Sequence, residues 1–129
     1  MDVNFEFEPD NRLCVYRIGG HITVSGMMQV FAKARAHPDW SDSYDFLTLL
    51  DHASLAAMPA EAMTKLQAQM AAADPVRDGP RRRAAIVCND ELSRAMLAYW
   101  EMIAGGTLTT DERVFMDEAA ARNWLAQAR

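Results

Sequence analysis

Cysteine is scarce, and the two present, Cys14 and Cys88, stand far apart in apolar runs with no CxxC spacing. That pattern excludes a zinc knuckle and a disulfide scaffold; isolated thiols in apolar surroundings are expected to be buried and reduced. Positive charge is also in short supply, with 13 Lys and Arg against 18 Asp and Glu and a net charge of -5. A field of that sign repels nucleic acid and anionic membrane, so neither is expected as a partner. Long hydrophobic runs are missing as well. Even "RAMLAYWEMIAGG" is interrupted by Glu101, and a span needs about 18 or more apolar residues in a row. The opening "MDVNFEFEPD" is acidic and lacks the basic and apolar regions of a secretory signal. A soluble, cytoplasmic protein with no membrane insertion is the expectation.

What the chain does have is enough apolar material for one core. Half of its 129 residues are hydrophobic and a quarter are charged, which suits a single domain over residues 1–129. "NFEFEP" alternates apolar and charged residues, and "LCVYRI" follows the turn-rich "PDNR", the pattern of a hairpin whose first strand lies at an edge. After "GGHITVSG", residues Val24, Met27, Met28, Phe31 and Ala34 recur at helical spacing as far as "HPDW". "YDFLTLLD" is short and continuously apolar towards its end, as a central strand covered on both faces would be. Pro59 suits the first position of a second helix, in which Met63, Leu66 and Met70 share a face until Pro75, Gly79 and Pro80 end it. "RRAAIVC" is a further strand, and Asn89 or Asp90 can cap a third helix carrying Leu92, Ala95, Met96, Tyr99, Trp100 and Ile103. A strand around "RVFM" leads through Asp117 into a last helix with Ala121, Trp124 and Leu125 inward. The order β-β-α-β-α-β-α-β-α implies an α/β fold, a mixed β-sheet with flanking helices.

Five segments, "GGHIT", "HPDW", "LLD", "RRAAIVCND" and "VFMDEAAARNWL", together resemble the SpoIIAA-like proteins, relatives of the STAS (sulfate transporter and anti-sigma-factor antagonist) domains. The resemblance covers nearly the whole chain and implies a STAS-like fold and a regulatory, non-enzymatic role. In STAS antagonists an Asp-Ser-Ser-Gly stretch after the central strand carries the serine that a partner kinase phosphorylates. Aligned on Asp51, "LLDHASLA" places His52, Ala53 and Ser54 at those three positions, so the phosphoacceptor is missing in register. The resemblance nevertheless implies that this segment meets a partner, with Asp51 fixing the loop and His52, Ser54 and Met58 on the contact face. The partner is expected to be a regulatory protein or a second copy in a homodimer.

In open α/β sheets, ligands favour the carboxyl ends of the strands, where His21, Asn89, Asp90 and Met116 are expected beside Asp51. These are candidate ligand-binding residues, although caps and turns are the stronger reading of Asp51, Asp90 and Asp117. No HxH, HExxH or paired-cysteine spacing supports a metal, and no GxSxG elbow or phosphate loop supports catalysis or nucleotide binding. No catalytic residue and no cofactor is therefore assigned. Nine methionines in 129 residues are the least ordinary feature. Methionine fills irregular gaps and lines adaptable sites, so a pocket for a lipid or another small apolar ligand, as in some STAS and SEC14-like folds, is the alternative to a protein-binding surface.

Overall fold

Alternating side chains build the first hairpin. Strand β1 (Asp2–Glu8) turns Val3, Phe5 and Phe7 inward and its acidic residues outward, and pairs antiparallel with β2 (Leu13–His21). A short 3-10 turn at Pro9–Asn11 joins them, closed by Arg12 in the left-handed conformation (φ 56°). The computed structural model describes residues 1–74 and 81–128, so the expected helix-ending residues Pro75, Gly79 and Pro80 lie outside the described residues.

From β2 onwards the chain steps one strand at a time. Helix α1 (Val24–Arg35), strand β3 (Asp45–Ser54), helix α2 (Ala60–Ala73), strand β4 (Arg82–Val87), helix α3 (Glu91–Ala104), strand β5 (Thr110–Phe115) and helix α4 (Glu118–Ala126) follow in the expected order. β2 to β5 are parallel, and the sheet reads β1-β2-β3-β4-β5 without a reversal. Right-handed crossovers that all step in one direction place their helices on one face. Accordingly α1, α2 and α3 share a core with Tyr16, Ile18 and Phe46 on the front face. α4 covers the back, packing Ala121 and Leu125 on Val15, Leu47 and Leu49. Near-complete burial of Tyr16, Ile18, Val15 and Leu47 contributes about 1.5–3 kcal/mol for each large apolar side chain.

Caps mark three helix starts. The side chains of Thr23, Asp90 and Asp117 accept from the backbone N–H groups of Gly26, Ser93 and Ala120, each satisfying a donor that the helix leaves open. Pro59 is the N-cap of α2 rather than its first residue, extended at ψ 173°. At the far end of the fold, Arg122 of α4 grips Glu8 with two parallel bonds of 2.9 Å. This fork, with help from Asn11, holds the Glu8 carboxyl down at about 2. Both cysteines are free and buried, and burial pushes the Cys14 thiol up to about 11.

The helical layer on the front packs both on itself and on the sheet, with Phe31 of α1 against Tyr16 of β2 at 5.8 Å between ring centroids. α1 packs against α2 and α2 against α3, whereas of these three it is α3 whose backbone approaches a strand closely, β5. The sheet beneath carries small side chains at Thr48 and Ala84. The result is a gap between floor and roof.

Candidate functional site

Two places on this scaffold gather chemically useful groups. The first is the carboxyl end of the central strands, where a bulge interrupts the pairing of β2 with β3. Ile18 faces Leu50 and Gly20 faces Ala53, so Asp51 and His52 together stand opposite Gly19 alone. The extra residue is accommodated by a left-handed backbone at His52 (φ 51°), unusual for a residue with a Cβ. Gly19 permits the approach, because a Cβ there would lie 2.8 Å from the Asp51 carbonyl oxygen. β3 therefore runs on through Asp51 and His52 to Ser54, instead of ending in a turn at Asp51.

The bulge turns both side chains outward, Asp51 at 86% and His52 at 95% exposure, with Nε2 of His52 3.5 Å from Asp51. A pair so exposed contributes well under about 1 kcal/mol. Asp51, His52, Asn89 and Asp90 line one cleft with Cys88 and Ser93. Asp90 is occupied as the α3 cap, and the Ser93 hydroxyl and amide hold its carboxyl below the usual range. Ser54 is half-buried, its Oγ accepting from Ala56 N–H at 3.2 Å. His21 sits opposite Ser54 at the end of β2, exposed, and Met116 follows β5 with 59% exposure; neither lines the cleft. Met58 departs from expectation. It is 3% exposed and turned into the front core, because the chain reverses there, Met58 N–H donating to Leu55 O, to start α2. Buried in this way, it forms part of a cavity wall and not of a contact surface.

That cavity is the second place. It occupies about 200 Å³ between the sheet and the layer of α1, α2 and α3. Ile18, Phe46 and Ala84 form its floor; Met27, Met63 and Leu97 are among the side chains of its roof. Five of the nine methionines, at 27, 28, 58, 63 and 70, line it while also packing in or against the front core. Polar groups collect towards the ends of α1 and α2. There Arg82 binds Asp74 through Nη2 and reaches Thr109 at 2.9 Å, Thr109 binds Asp74 at 2.8 Å, and Arg35 lies 3.8 Å from the same carboxylate. Burial works to raise the Asp74 carboxyl, but Thr109 and the guanidiniums outweigh it and hold it low. Glu112 faces the same space, accepting from Trp100 Nε1 at 2.9 Å and bonded to Thr110, and burial raises its carboxyl despite both. Arg35, Asp74 and Glu112 carry no signal in the sequence, each sitting at or near the end of an element or on a short strand, whereas Arg82 belongs to the run of three arginines at 81–83, a pattern able to hold an acidic group and more often a solvated loop.

No protein-family model and no curated protein matches the chain. Among solved structures it is similar to an uncharacterized protein of the DUF3478 family from Shewanella loihica PV-4, whose crystal structure is described as having a SpoIIAA-like fold. The two share 21% identity with a TM-score of 0.53, over 97% of this chain and 93% of that one. The fold is SpoIIAA-like.

In this SpoIIAA-like chain, the segment that resembles the signalling loop, 51–54, is the bulged end of β3. Groups of three or more His, Cys, Asp or Glu able to hold a metal are absent among the described residues. No helix among them is long and apolar enough to cross a membrane. The strand order also bears on where clefts form. Ligand crevices at carboxyl ends form where a doubly wound sheet reverses direction, and this SpoIIAA-like sheet does not reverse. The space lined mainly by apolar side chains lies under the helices, and the cleft beside Asp51 is lined more by polar ones.

Proposed function

We propose that this SpoIIAA-like chain is a non-enzymatic, STAS-like binding module that takes a small, mainly apolar molecule into the cavity beneath α1, α2 and α3. The observation that carries the reading is the cavity itself, about 200 Å³ walled by core side chains. Apolar surface left facing an unfilled pocket forgoes about 25 cal/mol for each Å² that stays in contact with water, so a pocket of this kind costs stability. Larger side chains at Ala84 or Thr48 would remove the cost, and a ligand offsets it without them. A native mass spectrum of freshly purified protein beside a denaturing one tests this reading, together with melting curves in the presence of small apolar probes. A native mass above an integer multiple of the chain mass, or a probe that raises the Tm, is expected. Bare multiples from the native host, with no probe shifting the Tm, would refute it.

A second reading is supported by the bulge. Side chains as exposed as those of Asp51 and His52, held on a strand end by a strained residue, suit contact with a regulatory protein or a second copy. Asp51, His52 and Ser54 are the proposed contact residues. Replacing Asp51 and His52 together with alanine should weaken that association in a pull-down at unchanged thermal stability; undiminished association would remove this site.

A further inference from the structure

A polar atom that the fold leaves open lies in the floor of the cavity. On β3, the central strand of the sheet, Phe46, Thr48 and Leu50 alternate with back-face residues and all three line the cavity. Thr48 stands in register with Tyr16 on β2 and Ile86 on β4, which line it too. Its hydroxyl is therefore set among apolar neighbours, where valine would fill the same space and suit a strand equally.

The other polar side chains around the cavity are engaged with one another. Arg82, Asp74 and Thr109 form one group, and Arg35 donates to Ala73 O beside them. Trp100 and Thr110 both donate to Glu112, and the Tyr16 hydroxyl meets the Cys14 thiol. Thr48 Oγ1 differs: it makes no hydrogen bond to any of the described residues. It is not sealed off either, since the buried side-chain atom left without a partner among the described residues is Nε of Arg94. With strands paired on both sides of β3, the surface left to this hydroxyl is the cavity.

An open hydroxyl in an apolar floor selects among occupants. Water can satisfy it, and a ligand that displaces the water without replacing its hydrogen bond loses affinity. A carbonyl oxygen at that depth accepts from Thr48 and brings no further donor to be satisfied. A charged head set against the same floor would exchange its hydration for a single hydroxyl, at far greater cost than a neutral oxygen. Size limits the occupant further. A dry cavity of about 150 Å³ accepts benzene. On that scale the 200 Å³ observed here takes about eight non-hydrogen atoms.

We propose that the occupant is a small uncharged carbonyl compound, a ketone or ester, its carbon skeleton among the methionines and its oxygen on the Thr48 hydroxyl. This rests on the cavity being a ligand site, and it names the class of ligand that the site takes.

Titration of the full chain, labelled with carbon-13 at its methionine methyl groups and followed by NMR, reads binding at the cavity itself, where Met27, Met28 and Met63 belong to the wall. Three probes of about eight non-hydrogen atoms are compared: 2-heptanone, its hydrocarbon counterpart 2-methyl-1-heptene, and hexanoate. Thr48→Val, which keeps the shape and removes the hydroxyl, should weaken 2-heptanone about fivefold and leave the hydrocarbon bound as tightly or more so. Thr48→Ser, which keeps the hydroxyl, should preserve the wild-type ratio of the two affinities. An unchanged ketone affinity in Thr48→Val, an equal loss of ketone and hydrocarbon there, or tighter binding of hexanoate than of 2-heptanone by the wild type would each overturn the carbonyl assignment and leave the apolar site standing. Methionine signals unmoved by all three probes would overturn the ligand site as well.

Discussion

Filling the cavity from its floor is the most direct test of the physical argument. Ala84 lies on the interior strand β4, in register with Phe46 on one side and Glu112 on the other, and it lines the cavity at 7% exposure. Ala84→Ile adds three carbons on a β-branched side chain that suits a strand. At about 25 Å³ for each carbon the new atoms occupy about 75 Å³, more than a third of the 200 Å³ present. Burying three further carbons at about 0.8 kcal/mol each stabilises the fold by about 2 kcal/mol, equivalent to a rise in Tm of about 7 °C for a chain of this length. Urea unfolding reads the change as a higher midpoint at unchanged slope. The same variant should take up apolar probes less well. A loss of about 1–3 kcal/mol, the usual result of overpacking, would refute the reasoning, because it would show that no usable space lies above Ala84.

Two further outcomes follow from features outside the cavity. His52→Gly should stabilise the chain by about 1 kcal/mol, since a left-handed backbone costs a residue with a Cβ about that much; a lower urea midpoint would show that the side chain, and not the backbone, decides this position. Glu8, held at about 2 against 4.5 by Arg122, has a lowered folded-state pKa. Its contribution is therefore complete above about pH 4.5 and is lost as the pH falls towards about 2. Glu8→Gln should flatten the Tm against pH over that window and lower the Tm at neutral pH, and an acid limb identical to that of the wild type would contradict the role of the fork.

Much of the architecture is legible in the sequence because apolar periodicity reports burial directly. "YDFLTLL" lies on a strand flanked by neighbours on both sides, and its continuous apolar character marks the central position. The end of that strand is not legible. Residues 51–54 remain in β3 through backbone pairing, with Asp51 and His52 turned outward, so the hydrophobic pattern stops at Leu50 while the strand does not. The glycine pair at 19 and 20 is visible as a break, but the purpose of Gly19, making room for the Asp51 carbonyl, depends on a strand more than thirty positions away.

The same division runs through the sites. Methionine content points to a pocket, and Met27, Met28, Met63 and Met70 do line one, whereas Met102 stands 68% exposed on α3. Closeness to His52 in sequence suggests a surface place for Met58; the reversal between Leu55 and Met58 sends it inward. Arg35 and Arg82 meet at Asp74 through long-range packing that no local spacing records. Side-chain type announces what a residue prefers, and the meeting of distant ends has to be seen in three dimensions.

The unreversed strand order has a consequence for how the molecule is assembled. Each strand pairs with the one just before it in the chain, so a growing polypeptide can add its layers in the order in which they are made, one helix crossover at a time. No strand waits for one made later than its immediate successor. The last helix departs from this order: it packs back on β2 and β3, and the fork between Arg122 and Glu8 joins it to the first strand. It acts as a latch, drawn across only when the rest of the fold is already in place.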